Sequence, residues 1–186
     1  ERREAVADID EETTRLNRIV SEVLDFARPV HFDLADADVN QICAASAAAA
    51  WSGAAPGRVV LDLDETIPPL RTDAERLRTA LVNILTNARH AGEAGGEDPR
   101  VHLRTRRHDG HATISIQDDG VGIDPHDMPH IFDPYFTTRR TGTGLGLPIT
   151  RNIIEGLGGT IAVSSRPGEG TEITLDLPLA APGAAA

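Results

Sequence analysis

The chain contains no lysine; all 18 of its Lys+Arg positions are arginine. That excludes a P-loop, whose lysine meets the phosphates, and any Schiff-base or lysine-nucleophile chemistry. Cysteine is nearly absent too. Cys43 stands alone, so there is neither a disulfide framework nor a thiolate metal site, which suits a reducing cytoplasmic setting. No apolar run approaches the roughly 18 residues of a membrane span, and no signal peptide is visible. Positive charge is outweighed: the net charge of −11 argues against nucleic acid or an anionic membrane as the main partner. The chain begins at Glu1 without Met and reads as a fragment, so a membrane anchor upstream stays open. Its 186 residues suffice for one medium domain and an added element.

Two parts are expected. Residues 1–28 read as one long helix with Val6, Ile9, Thr13, Leu16, Val20, Val23 and Ala27 at 3,4 spacing, ended by Pro29. Such a seam either lies on its own domain or joins an intermolecular bundle. The narrow stripe in an otherwise charged helix favours the bundle. Residues 38–178 read as α/β. Asp38 with Gln41 makes a capping box for a helix running to about Trp51. Strands are expected near 58–63 and 69–72, then a helix over 74–91 capped by Asp73, with Leu77, Leu81, Ile84, Leu85 and Ala88 on its core face. Strands near 100–106 and 112–118 form a hairpin across "HDGH". Residues 119–144 form a long irregular stretch with at most one short helix, the mark of a functional loop or lid. A helix over 145–157 and a hairpin of 160–164 with 171–177 complete the chain.

Three groups of residues carry chemistry. In "ATISIQDDG", period two places Asp118 on the apolar face with Ala112, Ile114 and Ile116, and Asp119 on the polar face. A carboxylate aimed into a core costs several kcal/mol unless paired. An ionised Asp only accepts hydrogen bonds, so an exocyclic amine such as that of adenine would satisfy it, with Gly120 and Gly122 letting backbone approach a flat ligand. Asn83 and Asn87 stand at i and i+4 beside the leucine stripe, with His90 extending their face. One helical Asn is ordinarily a solvent-facing residue, whereas two in this position can offer amide oxygens to Mg²⁺ while phosphates bring the charge. "GTGLGL", 142–147, opens a helix with bare amides, an anion-binding arrangement flanked by Arg139, Arg140 and Arg151.

Taken in order, "LVNILTNARHA", "QDDGVGID", "IFDPYFTTRR", "GTGLGLPITRNIIEGLGGTI" and "GEGTEITLDLP" resemble the catalytic domain of sensor histidine kinases over residues 77–178. Residues 1–28 resemble, more weakly, the second helix of that family's dimerisation and phosphotransfer hairpin. The resemblance implies a two-layer α/β sandwich, a mixed sheet with helices on one face, of the type shared with gyrase, heat-shock chaperone and mismatch-repair ATPases. It divides the chain into a partial dimerisation helix (1–30), an ATP-binding catalytic domain (31–180) and a tail (181–186). It implies ATP and Mg²⁺ as ligands, with Asn87 on the metal, Asn83 beside the phosphates and His90 near them. It implies Asp118, Gly120, Gly122 and Thr171 around adenine. Phe132 and Phe136 would anchor the lid, Arg139 takes the place of a frequent Lys after the double Thr, and Gly142, Gly144, Leu145 and Gly146 would form the hinge and phosphate cradle. The implied partners are a response-regulator receiver domain and a second copy through the N-terminal helix, with no nucleic acid and no membrane contact by this fragment.

The hydrolytic relatives carry a Glu four residues before the metal-binding Asn, as general base for water. Here that position is Asn83, whose amide accepts no proton at neutral pH. This favours phosphoryl transfer to a side chain. The family's acceptor histidine opens an H-E/D-x-x-x-P-like box, and none of His31, His90, His102, His108, His111, His126 and His130 does so on a helix. "HDMP", 126–129, is the nearest decoy and lies in the lid. The acceptor is therefore expected upstream. A nucleotide-binding regulatory module without catalysis is the alternative.

Overall fold

The computed structural model describes Thr13 and residues 31–52, 58–96, 100–139 and 142–179. The seam expected over 1–28 lies outside them apart from Thr13, which is helical and exposed, and so do Arg140 and the tail. The elements are β1 (Ala35–Ala37), α1 (Val39–Ala50), β2 (Arg58–Asp62), β3 (Leu70–Thr72), α2 (Ala74–Ala94), β4 (Arg100–His108), β5 (His111–Asp118), α3 (Gly146–Gly156), β6 (Thr160–Arg166) and β7 (Gly170–Pro178). The long stretch between β5 and α3 holds one 3-10 turn, Met128–His130.

A five-stranded mixed sheet runs in the order β2-β4-β5-β7-β6, parallel at β2–β4 and antiparallel elsewhere. β1 and β3 make a separate two-stranded pair. Helix α1 packs on α2 and α2 on α3; α2 also contacts β4, β5 and β7, and α3 contacts β6. The three helices thus share one face, the two-layer arrangement expected. The alternation of β5 and β7 builds the inner face. Ile114 pairs with Leu175 and Ile116 with Ile173, all buried, while Ser115, Gln117, Glu172 and Thr174 face outward. The next inward pair along this file is Asp118 with Thr171.

Local signals act as the sequence leads one to expect. The Asp38 carboxylate accepts from the backbone N–H groups of Asn40 (2.8 Å) and Gln41 (3.2 Å) to start α1. Asp73 caps α2 by accepting from Arg76 N–H (3.0 Å) with Oδ1, while Oδ2 accepts from Asp33 N–H (3.0 Å). Leu77, Leu81, Ile84, Leu85 and Ala88 are buried. The helix runs three residues beyond the expected end, to Ala94. Glycine after position 91 weakens helix propensity without stopping it, and the last turn is secured because Ala91 C=O accepts from Val121 N–H (3.3 Å).

Candidate functional site

Where the Asp118–Thr171 end of the sheet meets α2, α3 and the 119–139 loop, a cavity of about 700 Å³ opens. Helix α2 contributes Asn83, Asn87 and His90 to its wall. The sheet contributes Asp118 and Thr171, and the loop contributes Gly122, Phe136 and Arg139. Gly142, Gly144 and Gly146 close the side toward α3. Eleven of the fourteen site residues expected from the sequence thus line one cavity.

The other three lie off it. Gly120 is set against α2: a Cβ there would meet the Ala91 backbone and side chain, so its lack of a side chain lets helix and strand approach closely. Leu145 is 1% exposed and belongs to the core under α3. Phe132 carries the Arg151 guanidinium 5.3 Å above its ring, and Arg151 is held there by Glu155 (2.7 Å). Arg151 is accordingly also outside the cavity lining.

Asp118 is buried and has no cationic partner among the described residues. Its Oδ1 accepts from Gly120 N–H (2.9 Å) and Thr171 N–H (3.2 Å). Both bonds use the same oxygen, so Oδ2 keeps its accepting capacity. Burial pushes the carboxyl up to about 6; the two backbone donors oppose this and the charge of Asp119 adds to it. Asp119 itself is exposed and accepts from Arg100 N–H (3.1 Å).

The opposite wall is tied together through amides. Asn83 Nδ2 donates to Gly146 C=O (3.4 Å), joining α2 to the first turn of α3. Thr150 Oγ1 donates to the same carbonyl (2.8 Å). Arg139 Nη1 donates to Asn87 Oδ1 (3.1 Å), bringing a cation from the lid onto the amide oxygen singled out as a metal ligand. Two glycines at this site have backbones suited to no other residue. Gly122 has φ +70°, and a Cβ would strike the Arg166 carbonyl. Gly144 has φ +69°, and a Cβ would strike the backbone of Tyr135 and Phe136. Tyr135 also takes a positive φ of 68° and donates its N–H to Gly144 C=O (3.0 Å).

Sequence reasoning did not find Asp124, Asp127, Thr137 or Thr138 on this wall. They lie in the irregular stretch, where no periodicity reports which way a residue faces. Ser165 was also missed, and its hydroxyl is bonded to Thr171.

A cavity ending on a buried acceptor, beside a glycine-opened helix and two amides, is built to take a polar ring at one end and an anion at the other. The family model described as Histidine kinase-, DNA gyrase B-, and HSP90-like ATPase matches residues 72–181. The chain belongs to that family. Among curated proteins it is 36% identical over 171 residues to the signal transduction histidine-protein kinase AtoS of Escherichia coli K12, covering 90% of this chain and 28% of that protein. It is 36% identical over 170 residues to the sensor histidine kinase ZraS of the same strain, covering 90% of this chain and 36% of that protein. The chain therefore spans about a third of the length of the relatives it matches. Among solved structures, full-length ShkA in complex with AMPPNP superposes with TM-score 0.82 at 28% identity, over 98% of this chain and 40% of that one.

Proposed function

We propose that this chain is the ATP-binding catalytic region of a sensor histidine kinase, passing the γ-phosphoryl of ATP to a histidine outside residues 1–186 for relay to a response-regulator aspartate. The observation that carries the proposal is Asp118: a buried carboxylate with a free acceptor oxygen at the end of a cavity whose far wall is amides and a helix N-terminus. In this assignment Asp118 Oδ2 accepts from the adenine amine. Thr171 and Gly122 border the base. The glycine segment 142–146 and the first turn of α3 receive the phosphates. Asn83 braces that turn from α2, through its bond to the Gly146 carbonyl.

No group of three or more His, Cys, Asp or Glu able to hold a metal occurs among the described residues. A divalent ion would depend chiefly on phosphate oxygens, with Asn87 Oδ1 as the ligand from protein. That oxygen already draws the Arg139 guanidinium, so it suits a cation. Mg²⁺ bound there would neutralise phosphate charge. His90 would add positive charge when protonated, and Phe136 and Arg139 would order the lid over the nucleotide. The remaining parts of the proposal are a homodimer through residues 1–30, a catalytic domain over 31–180 and a cytoplasmic location. No helix among the described residues is long and apolar enough to cross a membrane.

Catalysis of this kind works by positioning and charge stabilisation, and it needs a nucleophile within about 3–3.5 Å of the γ-phosphorus. This chain incubated with radiolabelled Mg–ATP should bind nucleotide and remain unlabelled. Adding a protein that carries the acceptor-histidine helix should give acid-labile label on that protein. Label on any of the seven histidines of the isolated chain would overturn the assignment of the acceptor to another segment.

A further inference from the structure

Thr171 borders the cavity, yet the state of its hydroxyl is decided one strand away. Ser165 Oγ lies 2.9 Å from three groups: Ile123 N–H, Gly170 C=O and Thr171 Oγ1. A serine hydroxyl has one proton to give and two lone pairs to offer. Ile123 N–H can only donate, so it takes one lone pair. The Gly170 carbonyl can only accept, so it takes the proton. Thr171 must then donate to the second lone pair. The opposite assignment would leave two oxygens 2.9 Å apart at Gly170 with no proton between them.

We infer that Ser165 is a specificity-determining positioning residue: by absorbing the hydroxyl proton of Thr171, it fixes Thr171 Oγ1 as an acceptor toward the cavity. Asp118 Oδ2 is the other acceptor there, so these two side chains both present lone pairs to the ligand group between them. It suits an exocyclic amine, whose two N–H groups donate, and it opposes a carbonyl oxygen at the same place. Ser165 also holds Ile123, which lines the cavity, so a single hydroxyl sets both a strand and a loop bordering the base. The inference rests on the adenine assignment above and deepens it, since Ser165 itself is outside the cavity lining.

The test compares ATP with inosine triphosphate, which bears a 6-oxo group in place of the amine, by calorimetry in the presence of Mg²⁺. The unsubstituted chain should favour ATP. Ser165→Ala frees the Thr171 proton to donate to the 6-oxo group and should narrow the ATP preference about three- to tenfold, the worth of one hydrogen bond. Ser165→Thr, which keeps the hydroxyl, should retain the preference. In a Thr171→Val background, adding Ser165→Ala should narrow it no further. In the unsubstituted chain the Thr171 hydroxyl proton should be seen by NMR as slowly exchanging and close to Ser165. Narrowing of equal size in the Thr171→Val background, or an unchanged preference in folded Ser165→Ala, would overturn the inference and leave the adenine assignment standing. So would a Thr171 hydroxyl that exchanges as fast as an exposed threonine's. No preference for ATP in the unsubstituted chain would overturn the adenine assignment and the inference with it.

Discussion

Asp118→Asn should make the empty protein more stable while damaging its selectivity. Its carboxyl is buried with no cationic partner among the described residues, and burial raises it from the ordinary 3.8 to about 6. A group whose folded pKa is raised binds its proton more tightly in the native state, so stability falls as pH rises through this window. At about 1.4 kcal/mol per pH unit, the rise from 3.8 to about 6 corresponds to at most about 3 kcal/mol lost at pH 7.5. At pH 4.5 the loss shrinks to about 1 kcal/mol, because the native carboxyl is already protonated. An amide keeps an Oδ1 for the Gly120 and Thr171 N–H groups and removes the charge. For a chain of this size about 2–4 °C accompanies each kcal/mol. Thermal unfolding without nucleotide should therefore give Asp118→Asn a higher Tm at pH 7.5, by at most about 6–12 °C, and a gain about a third as large at pH 4.5. Calorimetric titration should show that the same variant loses its preference for ATP over GTP, since the Asn N–H₂ can face guanine's carbonyl. A lower Tm at pH 7.5, or a gain independent of pH, would refute the claim that this carboxylate is held at a cost to folding.

In the parent chain, ATP affinity should fall about tenfold per pH unit below about 6, where Asp118 protonates; a flat profile from pH 7 to 5 would show that the ionised carboxylate does not meet the base. Asn87→Ala should weaken nucleotide binding in Mg²⁺ at least tenfold and change it little in EDTA; titrations in the two buffers check this, and an unchanged metal dependence would remove Asn87 from the ion. Gly144→Ala forces a side chain into φ +69° and onto the Tyr135 backbone, a cost of about 1–3 kcal/mol, so the lid should shift and the Kd for ATP rise about fivefold or more. Unaltered affinity would mean that this hinge is not coupled to the nucleotide. Val20→Glu should abolish concentration-dependent self-association in sedimentation without touching nucleotide binding; a parent chain that stays monomeric at high concentration would show the seam satisfied within the chain.

The sequence by itself determined what repetition along the chain can report. Strands of eight and nine residues and a helix of 21 are long enough for period two or 3.6 to declare an inner face. That is why Asp118 could be assigned to the core, and Asp119 to solvent, from the alternation of Ala112, Ile114 and Ile116 alone. Asn83, Asn87 and His90 were legible for the same reason, and the order of five motifs carried the family. β1, only three residues long, gave no period to read. Tertiary structure decided everything that depends on which distant residues meet. Register over 53 residues sets Thr171 beside Asp118, and the path of the 119–139 loop sets Arg139 on Asn87 across 52 residues. The three expected residues that lie off the cavity lining follow the same logic. Gly120, Phe132 and Leu145 sit within motifs that also supply cavity residues such as Asp118, Phe136 and Gly144, yet they pack against α2, Arg151 and the core. A motif records which residues a site requires nearby, whereas the direction of each side chain is chosen by packing against elements far away in sequence. Ser165 is the limiting case. Its importance rests on three contacts of 2.9 Å and the single proton of a hydroxyl, and no spacing along a chain encodes either.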